Sequence, residues 1–516
     1  MAKKFYITAA IPYVNAKPHL GHALEFVQAD VVARYHRLLN EDVTLLSGGD
    51  ENALKNVQAA EKAGKPVQEF IDENNDLFIK LTQQLNTKFD VWQKGSDKQT
   101  HYKSSQELWG LCKNTGDIYK KSYKGLYCVG CEAFYESGDL NENGECYEHP
   151  GKKLDEVEEE NYFFKLSKYQ DKIIELIEAN ELEIVPEERK NEVLSFVRGG
   201  LKDISISRSN ERARNWGVPV PGDDSSRIYV WMDALNIYQS GIGFGWNEET
   251  YKKLWPADLH VIGKGIIRFH AVYWPAFLMS AGLKLPKKIF VHGYYTVNGQ
   301  KMSKTLGNVY DPMPLLEKYG ADPLRYYMLA KTPPFTDGDF SEEKYIEIYN
   351  ADLASGLGNL VSRVTNMIGR YCDGLVPAID GVADEHPLRV DNKIHNWKKV
   401  WKDIDKYVPE FKFDQAVGSV WKFLKEADRY IDDNKPWELA KKDRAKLNWV
   451  LYGLADSLHQ VAWQIYQFLP ETSVGIAKAF SIKPLLVDSP NSKDSWTNLK
   501  PGTKVVLEKP LFPRIK

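Results

Sequence analysis

Cys128-x-x-Cys131 is followed, after fourteen intervening residues, by Cys146-x-x-His149. Four soft or borderline ligands set as two knuckles suit a closed tetrahedral Zn²⁺ with no open coordination position, so the spacing predicts one structural metal per chain; two unrelated pairs of reduced thiols are the alternative. A second constellation is His19-Leu20-Gly21-His22, placed where a short apolar run gives way to helical periodicity. Two neutral imidazoles at a helix start can donate to charge developing on a phosphate, Gly21 lets a nucleotide approach the backbone, and the helix N-terminus favours an anion. Some 280 residues later Lys301-Met302-Ser303-Lys304-Thr305-Leu306-Gly307-Asn308 follows a hairpin-like lead with an Asn298-Gly299 turn. Its two lysines can close over a triphosphate and neutralise a leaving pyrophosphate. Each motif alone is commonplace; both, in this order and each after a buried strand, predict phosphate chemistry.

The elements that must hold these residues follow from periodicity. Phe5 to Ile11, stopped by Pro12, reads as a strand buried on both faces; Leu24, Val27, Val31, Tyr35 and Leu38 then repeat at helical spacing, and Val43 to Leu46 forms the next strand before Ser47-Gly48-Gly49-Asp50. Strand, helix, strand predicts an α/β fold, a doubly wound parallel sheet of Rossmann type with ligands at the carboxyl ends of its strands. The pattern breaks near Cys112 and returns near Ile228. Between them lie the cysteines, the acidic run Asp155 to Glu160, a helical stretch around Tyr169 to Glu178 and the exit turn Pro219-Val220-Pro221-Gly222. Strands recur at Leu259 to Ile262 before Gly263, and at Ile289 to Val291 before His292-Gly293. From Ser341 the texture is helical, with repeats through Leu353 to Tyr371, Asp414 to Tyr430 and Asn448 to Phe468, so a helical bundle is expected. The expected division is 1–110 and 226–340 for the two halves of the sheet domain, 111–225 for an insertion, 341–488 for the bundle, and 489–516 for a tail packing on the body, with a strand-like Lys504 to Leu507.

Composition excludes several classes. The chain has 516 residues, of which 43% are hydrophobic and 27% charged, with no low-complexity block, so wholesale disorder is ruled out. No run approaches the roughly 20 apolar residues of a spanning helix, and Met1 to Thr8 lacks a signal peptide's apolar region, so a cytoplasmic protein without membrane contact is expected. Sixty-eight Lys and Arg against 71 Asp and Glu exclude a generically basic nucleic-acid binder, and any such contact is local. Five cysteines are too few for a disulfide scaffold; Cys112 and Cys372 read as buried residues.

The histidine and lysine motifs resemble the signatures of class I aminoacyl-tRNA synthetases. The surroundings, Ala10 to Asn15, Tyr229 to Ala234, Phe269 to Ala276 and His292 to Tyr294, are similar to the methionyl branch of that family, and the resemblance runs from about Phe5 to Pro513. It implies an enzyme that activates L-methionine with ATP and Mg²⁺, giving methionyl-adenylate and pyrophosphate, then moves methionyl to the 3′-terminal adenosine of initiator and elongator methionine tRNA. It implies catalysis by His19, His22, Lys301 and Lys304, and ATP contacts from His19, Gly21, His22, Gly263, His292, Gly293, Lys301, Met302, Ser303 and Lys304. The implied methionine pocket is Ile11, Tyr13, Trp231, Ala234, Tyr238, Phe269, His270 and Trp274, with Asp50 holding the substrate ammonium. Aromatic walls suit a flexible thioether, at about 0.3–1.5 kcal/mol per sulfur–aromatic contact.

Asn359, Arg363, Asn366 and Arg370 form a stripe beside an apolar seam, and Lys435-Pro436-Trp437 offers an indole for stacking an unpaired base. The resemblance places anticodon contacts on Asn359, Arg363 and Trp437 and agrees with a zinc knuckle in the insertion; a solvated stripe and a core indole after a helix-starting proline are the alternatives. The chain departs from the family at Asn52-Ala53, where His-Gly is frequent, at Leu235, where Pro is common, and at Gly265, where an acidic residue is usual. A monomeric methionine-specific ligase is expected. The rivals are a class I synthetase for another amino acid and a tRNA-binding protein that has lost catalysis.

Overall fold

A run from Phe5 to Ala10 without any turn-forming residue extends as the strand Lys4–Ala9, and Pro12, which has no N–H to give a ladder, stops it. The computed structural model describes residues 2–128, 133–135, 140–146, 151–302, 308–379, 397–482 and 499–515. Lys4–Ala9 lies inside a six-stranded parallel sheet ordered Val91–Lys94, Asp42–Gly49, Lys4–Ala9, Leu259–Gly263, Lys288–His292, Glu183–Val185. Chain order reverses between Lys4–Ala9 and Leu259–Gly263, which opens a crevice at their carboxyl ends. Alternation splits the sheet's side chains between two cores: Ile7, Leu45, Val261 and Phe290 enter one, Tyr6, Leu46, Ile262 and Val291 the other.

The segment expected as an insertion makes its own antiparallel sheet, in which Ile118–Cys128 pairs along its length with Asp155–Phe164. The acidic run is thus a strand facing a lysine-bearing one. The same segment also returns to the main sheet, because Glu183–Val185 pairs with Lys288–His292 as the edge strand.

The helix Leu20–Leu38 differs from the one-sided helix its apolar spacing predicts. It is buried around nearly its whole circumference, with Gln28, Asp30 and Arg34 buried beside Val27 and Val31. The reason is placement: it lies against the strands on one side and the helix Ala321–Ala330 on another. Its charges are paired inside. Asp30 accepts from Arg34 at 2.7 Å and from Arg325 at 2.8 Å, and Arg325 also donates to the carbonyls of Phe468 (2.7 Å), Gln467 (3.1 Å) and Leu85 (3.2 Å). Burial opposes the charge of Asp30, yet the two guanidinium groups hold its carboxyl below the usual range.

Beyond residue 340 the described chain is helical, through Asn359–Tyr371, Trp397–Tyr407, Phe413–Asn434, Pro436–Lys442, Arg444–Ile465 and Pro470–Ala479. Pro436 and Pro470 begin their helices, where a missing N–H costs nothing. These helices share one core with the sheet face that holds Phe290. Of the tail, 489–498 and 516 lie outside the described residues; residues 499–515 pack on the body, with Ile515 and Asn350 exchanging hydrogen bonds. The strand expected at Lys504 to Leu507 is instead a single bridge, Leu375 to Lys504: Val505 N–H donates to Gly374 and Val506 N–H to Ala479, a turn and a helix end that offer no continuous edge.

Removing one member of a buried ion pair costs about 3–5 kcal/mol because the other charge is stranded. Arg325→Ala should therefore lower the melting temperature by several degrees in thermal unfolding, and a shift below one degree would show that Asp30 does not need it.

Candidate active site

His19 is the N-cap of the helix Leu20–Leu38 and closes a reciprocal box with His22. The Gly21 N–H donates to His19 Nδ1 and the His19 N–H donates to His22 Nδ1, each at 3.1 Å. A ring nitrogen that accepts carries no proton, so both imidazoles are neutral with the proton on Nε2, and they stack at 3.8 Å. Two Nε2–H donors at the positive end of a 19-residue helix suit phosphate oxygens.

The second motif arrives beside the first. A Cβ on Gly21 would stand 3.7 Å from the terminal methyl of Met302, and Leu20 N–H donates to the Tyr310 carbonyl at 3.1 Å. The expected hairpin is present: Tyr295–Val297 pairs with Gln300–Lys301 about Asn298 and Gly299, whose φ values of 51° and 75° fit its two-residue turn. Ser303, Lys304 and the side chain of Lys301 lie outside the described residues. His292 stands across the crevice; Nδ1–H donates to Gly293 O at 2.7 Å and Nε2 pairs with Glu25 Oε2 at 2.9 Å. Gly263 is opposite His292 in the strand register.

On the other side of the first strand the expected pocket residues gather in one apolar core. Trp231 stacks on Phe269 with ring centroids 3.6 Å apart and meets Tyr13 edge-on at 6.1 Å; Ile11 packs on the same core and Ala234 is buried in it. The Tyr238 hydroxyl lies 2.8 Å from His270 Nε2, while His270 Nδ1–H donates to the Ile266 carbonyl at 2.9 Å. Burial pushes the His270 imidazole down to about 4, so it is neutral and takes the Tyr238 proton as acceptor. Trp274 is fully buried and packs edge-on to Trp255 at 6.1 Å, behind this wall. Asp50 is buried at the end of its strand, where its N–H donates to Pro12 O and it bridges Tyr13.

Residue type alone did not single out several groups that hold this arrangement. Glu25 lies one turn beyond His22 and reaches His292. His260, within a strand, pairs with Thr8 Oγ1 at 2.6 Å and its ring lies 4.6 Å from that of Tyr238. Asp233, two residues after Trp231, accepts from His101 Nε2 (2.8 Å), Ser105 (2.9 Å) and Asn52 Nδ2 (2.7 Å). Asn52 thus fixes the helix that carries Trp231. Only the last could have been read from sequence, as a polar residue in a motif full of apolar ones.

Elsewhere, Cys128 and Cys146 are both buried in one small cluster with Leu154, while Cys131 and His149 lie outside the described residues. Among the described residues no group of three metal-ligating side chains forms. Two thiols brought into one cluster from the two knuckles fit a Cys₃His zinc set. Asn359, Asn366 and Arg370 face solvent, and Arg363 pairs with Asp428 (2.5 Å) and Asp432 (2.9 Å) on the helix that leads into Pro436. Trp437 is 43% exposed, so its indole is not bundle core.

The profile of tRNA synthetases class I (M) matches residues 5–365. The chain is 41% identical to a methionine–tRNA ligase of Thermotoga maritima over 99% of its own length and 80% of that protein's, and 41% identical to one of Brucella suis over 99% and 98%. A solved Mycobacterium tuberculosis methionyl-tRNA synthetase in complex with methionyl-adenylate superposes with a TM-score of 0.92 at 38% identity, covering 99% of this chain and 100% of that one.

Glu51, beside Asp50, is wholly buried; it accepts from Ser96 N–H at 2.7 Å and from Asn75, and burial pushes its carboxyl up to about 7. Its unfolded value is near 4.5, so the folded state binds more protons between these values and stability falls as pH rises from about 5 through about 7. Glu51→Gln should flatten that slope in melting temperatures taken from pH 5 to 8; an unchanged slope would assign it to another group.

Proposed function

The chain belongs to the methionyl-tRNA synthetases, class I ligases that activate methionine with ATP and transfer it to tRNA, and from that premise we propose how its own residues divide the work. A carboxylate oxygen of methionine attacks the α-phosphorus of ATP in line, the bond from that phosphorus to the bridging oxygen breaks, and pyrophosphate leaves. His19 and His22 donate their Nε2–H groups to the phosphates as charge shifts, with Lys301 and Lys304 assigned to the leaving pyrophosphate. Gly21, Met302 and Ser303 are assigned to the triphosphate, and Gly263, His292 and Gly293 to the nucleotide floor. Mg²⁺ held with ATP adds charge neutralisation.

Asp50 takes the substrate ammonium. Ile11, Tyr13, Trp231, Ala234 and Phe269 surround the thioether, with Tyr238 and His270 uncharged at its end and Trp274 as backing. In the second step a hydroxyl of the terminal adenosine attacks the methionyl carbonyl and AMP departs; no protein nucleophile is needed. What carries the assignment is the Leu20–Tyr310 hydrogen bond together with the methyl of Met302, which lies where a side chain on Gly21 would meet it; both support a single phosphate crevice built from two motifs 280 residues apart.

For the helical region of residues 341–488 we infer anticodon binding. Asn359 and the exposed Trp437 are open to a base, and Arg363 exchanges Asp428 and Asp432 for RNA. Cys128, Cys131, Cys146 and His149 are assigned to a structural Zn²⁺ in the inserted segment. The division at residues 110, 225, 340 and 488, a cytoplasmic location and a monomeric state complete the reading; no described helix is long and apolar enough to cross a membrane.

ATP–pyrophosphate exchange measured with each of the twenty amino acids should run with methionine far above the rest, and a different preferred amino acid would overturn the pocket assignment. Metal analysis of protein purified without chelator should return about one Zn²⁺ per chain, as one complete ligand set allows. Cys128→Ser should lose most of it while exchange persists; a metal-free wild type would remove the site.

A further inference from the structure

The backbone ladder between Leu259–Gly263 and Lys288–His292 ends at the pair Gly263 and His292. Beyond it the two chains continue as Lys264-Gly265 and Gly293-Tyr294, at the crevice where the nucleotide floor lies. The next rung is made by a side chain. The phenol oxygen of Tyr294 accepts the N–H of Gly265 at 2.6 Å, and the Tyr294 N–H donates to Asp337 Oδ1 at 2.8 Å. The other oxygen of Asp337 takes Lys264 Nζ at 2.8 Å.

The fit is close. A Cβ on Gly263 would stand 3.0 Å from the Tyr294 ring and 3.6 Å from the His292 ring, so that glycine is flanked by both. A Cβ on Gly265 would come within 2.1 Å of the phenol oxygen as it now stands, so the phenol fills the space a side chain there would take. Gly265 itself is exposed and Tyr294 is half-buried, so the contact adds little to the core. A main-chain floor made of glycines has no side chains to hold its shape; a tyrosine bridging the two strand ends supplies that rigidity.

We propose that Tyr294 is a positioning residue of the nucleotide cleft, its phenol bracing the Gly263–Gly265 turn against the end of Lys288–His292 so that ATP meets a preformed floor. This rests on the ATP-binding reading above. The brace acts on the nucleotide, while the aromatic wall of the methionine pocket has its own supports in the Trp231–Phe269 stack and the Tyr238–His270 hydrogen bond.

Methionine-dependent ATP–pyrophosphate exchange on the purified full chain tests it, with initial rates taken against ATP and against methionine separately. Tyr294→Phe keeps the ring and removes one hydrogen bond, so the KM for ATP should rise about three- to tenfold, with the KM for methionine and the melting temperature unchanged. Tyr294→Leu, which also takes the ring from Gly263, should raise the ATP KM further. If the KM for ATP is unaltered in Tyr294→Phe, or if both KM values rise together with a fall in melting temperature, the positioning role is overturned. Absence of methionine-dependent exchange in the unsubstituted protein would instead strike the function on which the inference rests.

Discussion

The ion pairs of Asp30 with Arg34 and Arg325 are fully removed from water, and the placement of the helix Leu20–Leu38 depends on them. A helix buried on all sides has no solvent-facing stripe to fix its rotation. Apolar packing alone tolerates sliding and turning, whereas a carboxylate in the interior demands its guanidinium partners at one depth and one angle. Asp30 finds one partner a turn away on its own helix and the other on Ala321–Ala330, while Lys88 N–H donates to its remaining oxygen at 2.9 Å. The same placement sets His19, His22 and Glu25 toward the other end of the helix, where a shift of one turn, about 5.4 Å, would break the Leu20–Tyr310 and Glu25–His292 contacts.

The crevice that results is divided by charge preference. Its mouth suits anions, with a helix N-terminus and two Nε2–H donors. Its inner pocket excludes charge. Burial holds the imidazoles of His260 and His270 neutral, and the phenol of Tyr238 is pushed well above its ordinary value, so none of the three ionises near neutral pH. A thioether side chain requires a wall of that kind, since it offers polarizability but no charge. Asp50 is buried at the end of its strand beside Tyr13 and places a carboxyl group next to that apolar wall.

Local spacing made much of this legible. The strands before Pro12 and Gly263, the Asn298-Gly299 hairpin and the long helices near Asp414 and Asn448 each follow from patterns a few residues wide, and the structure has all of them. What spacing could not show depends on partners distant in the chain. The all-round burial of Leu20–Leu38 is decided by residues 300 positions away, and the edge strand Glu183–Val185 is three residues of no distinctive pattern that pair with a strand a hundred residues later. Glu25 and His260 read as an ordinary helix charge and an ordinary strand residue until His292 and Thr8 are placed beside them. The π-helical turns at Phe269–Tyr273 and Tyr349–Gly358 likewise carry no signal in a 3.6-residue pattern, although the first presents Phe269 and His270 to the pocket.

The helical region and the sheet are one packed body where they meet. Phe290, in the middle of a sheet strand, stacks on Phe411 with ring centroids 4.3 Å apart, and Tyr35 on the helix that begins at His19 donates its hydroxyl to Asp405 at 3.0 Å. Arg325 adds charged hydrogen bonds to the carbonyls of Gln467 and Phe468. Separate domains joined by a small polar contact move against one another as a rule. A shared apolar core with buried charged bonds across it removes that freedom. The sheet that carries the crevice and the helices beyond residue 340 are therefore held at a fixed spacing by their common core, with no hinge where they meet.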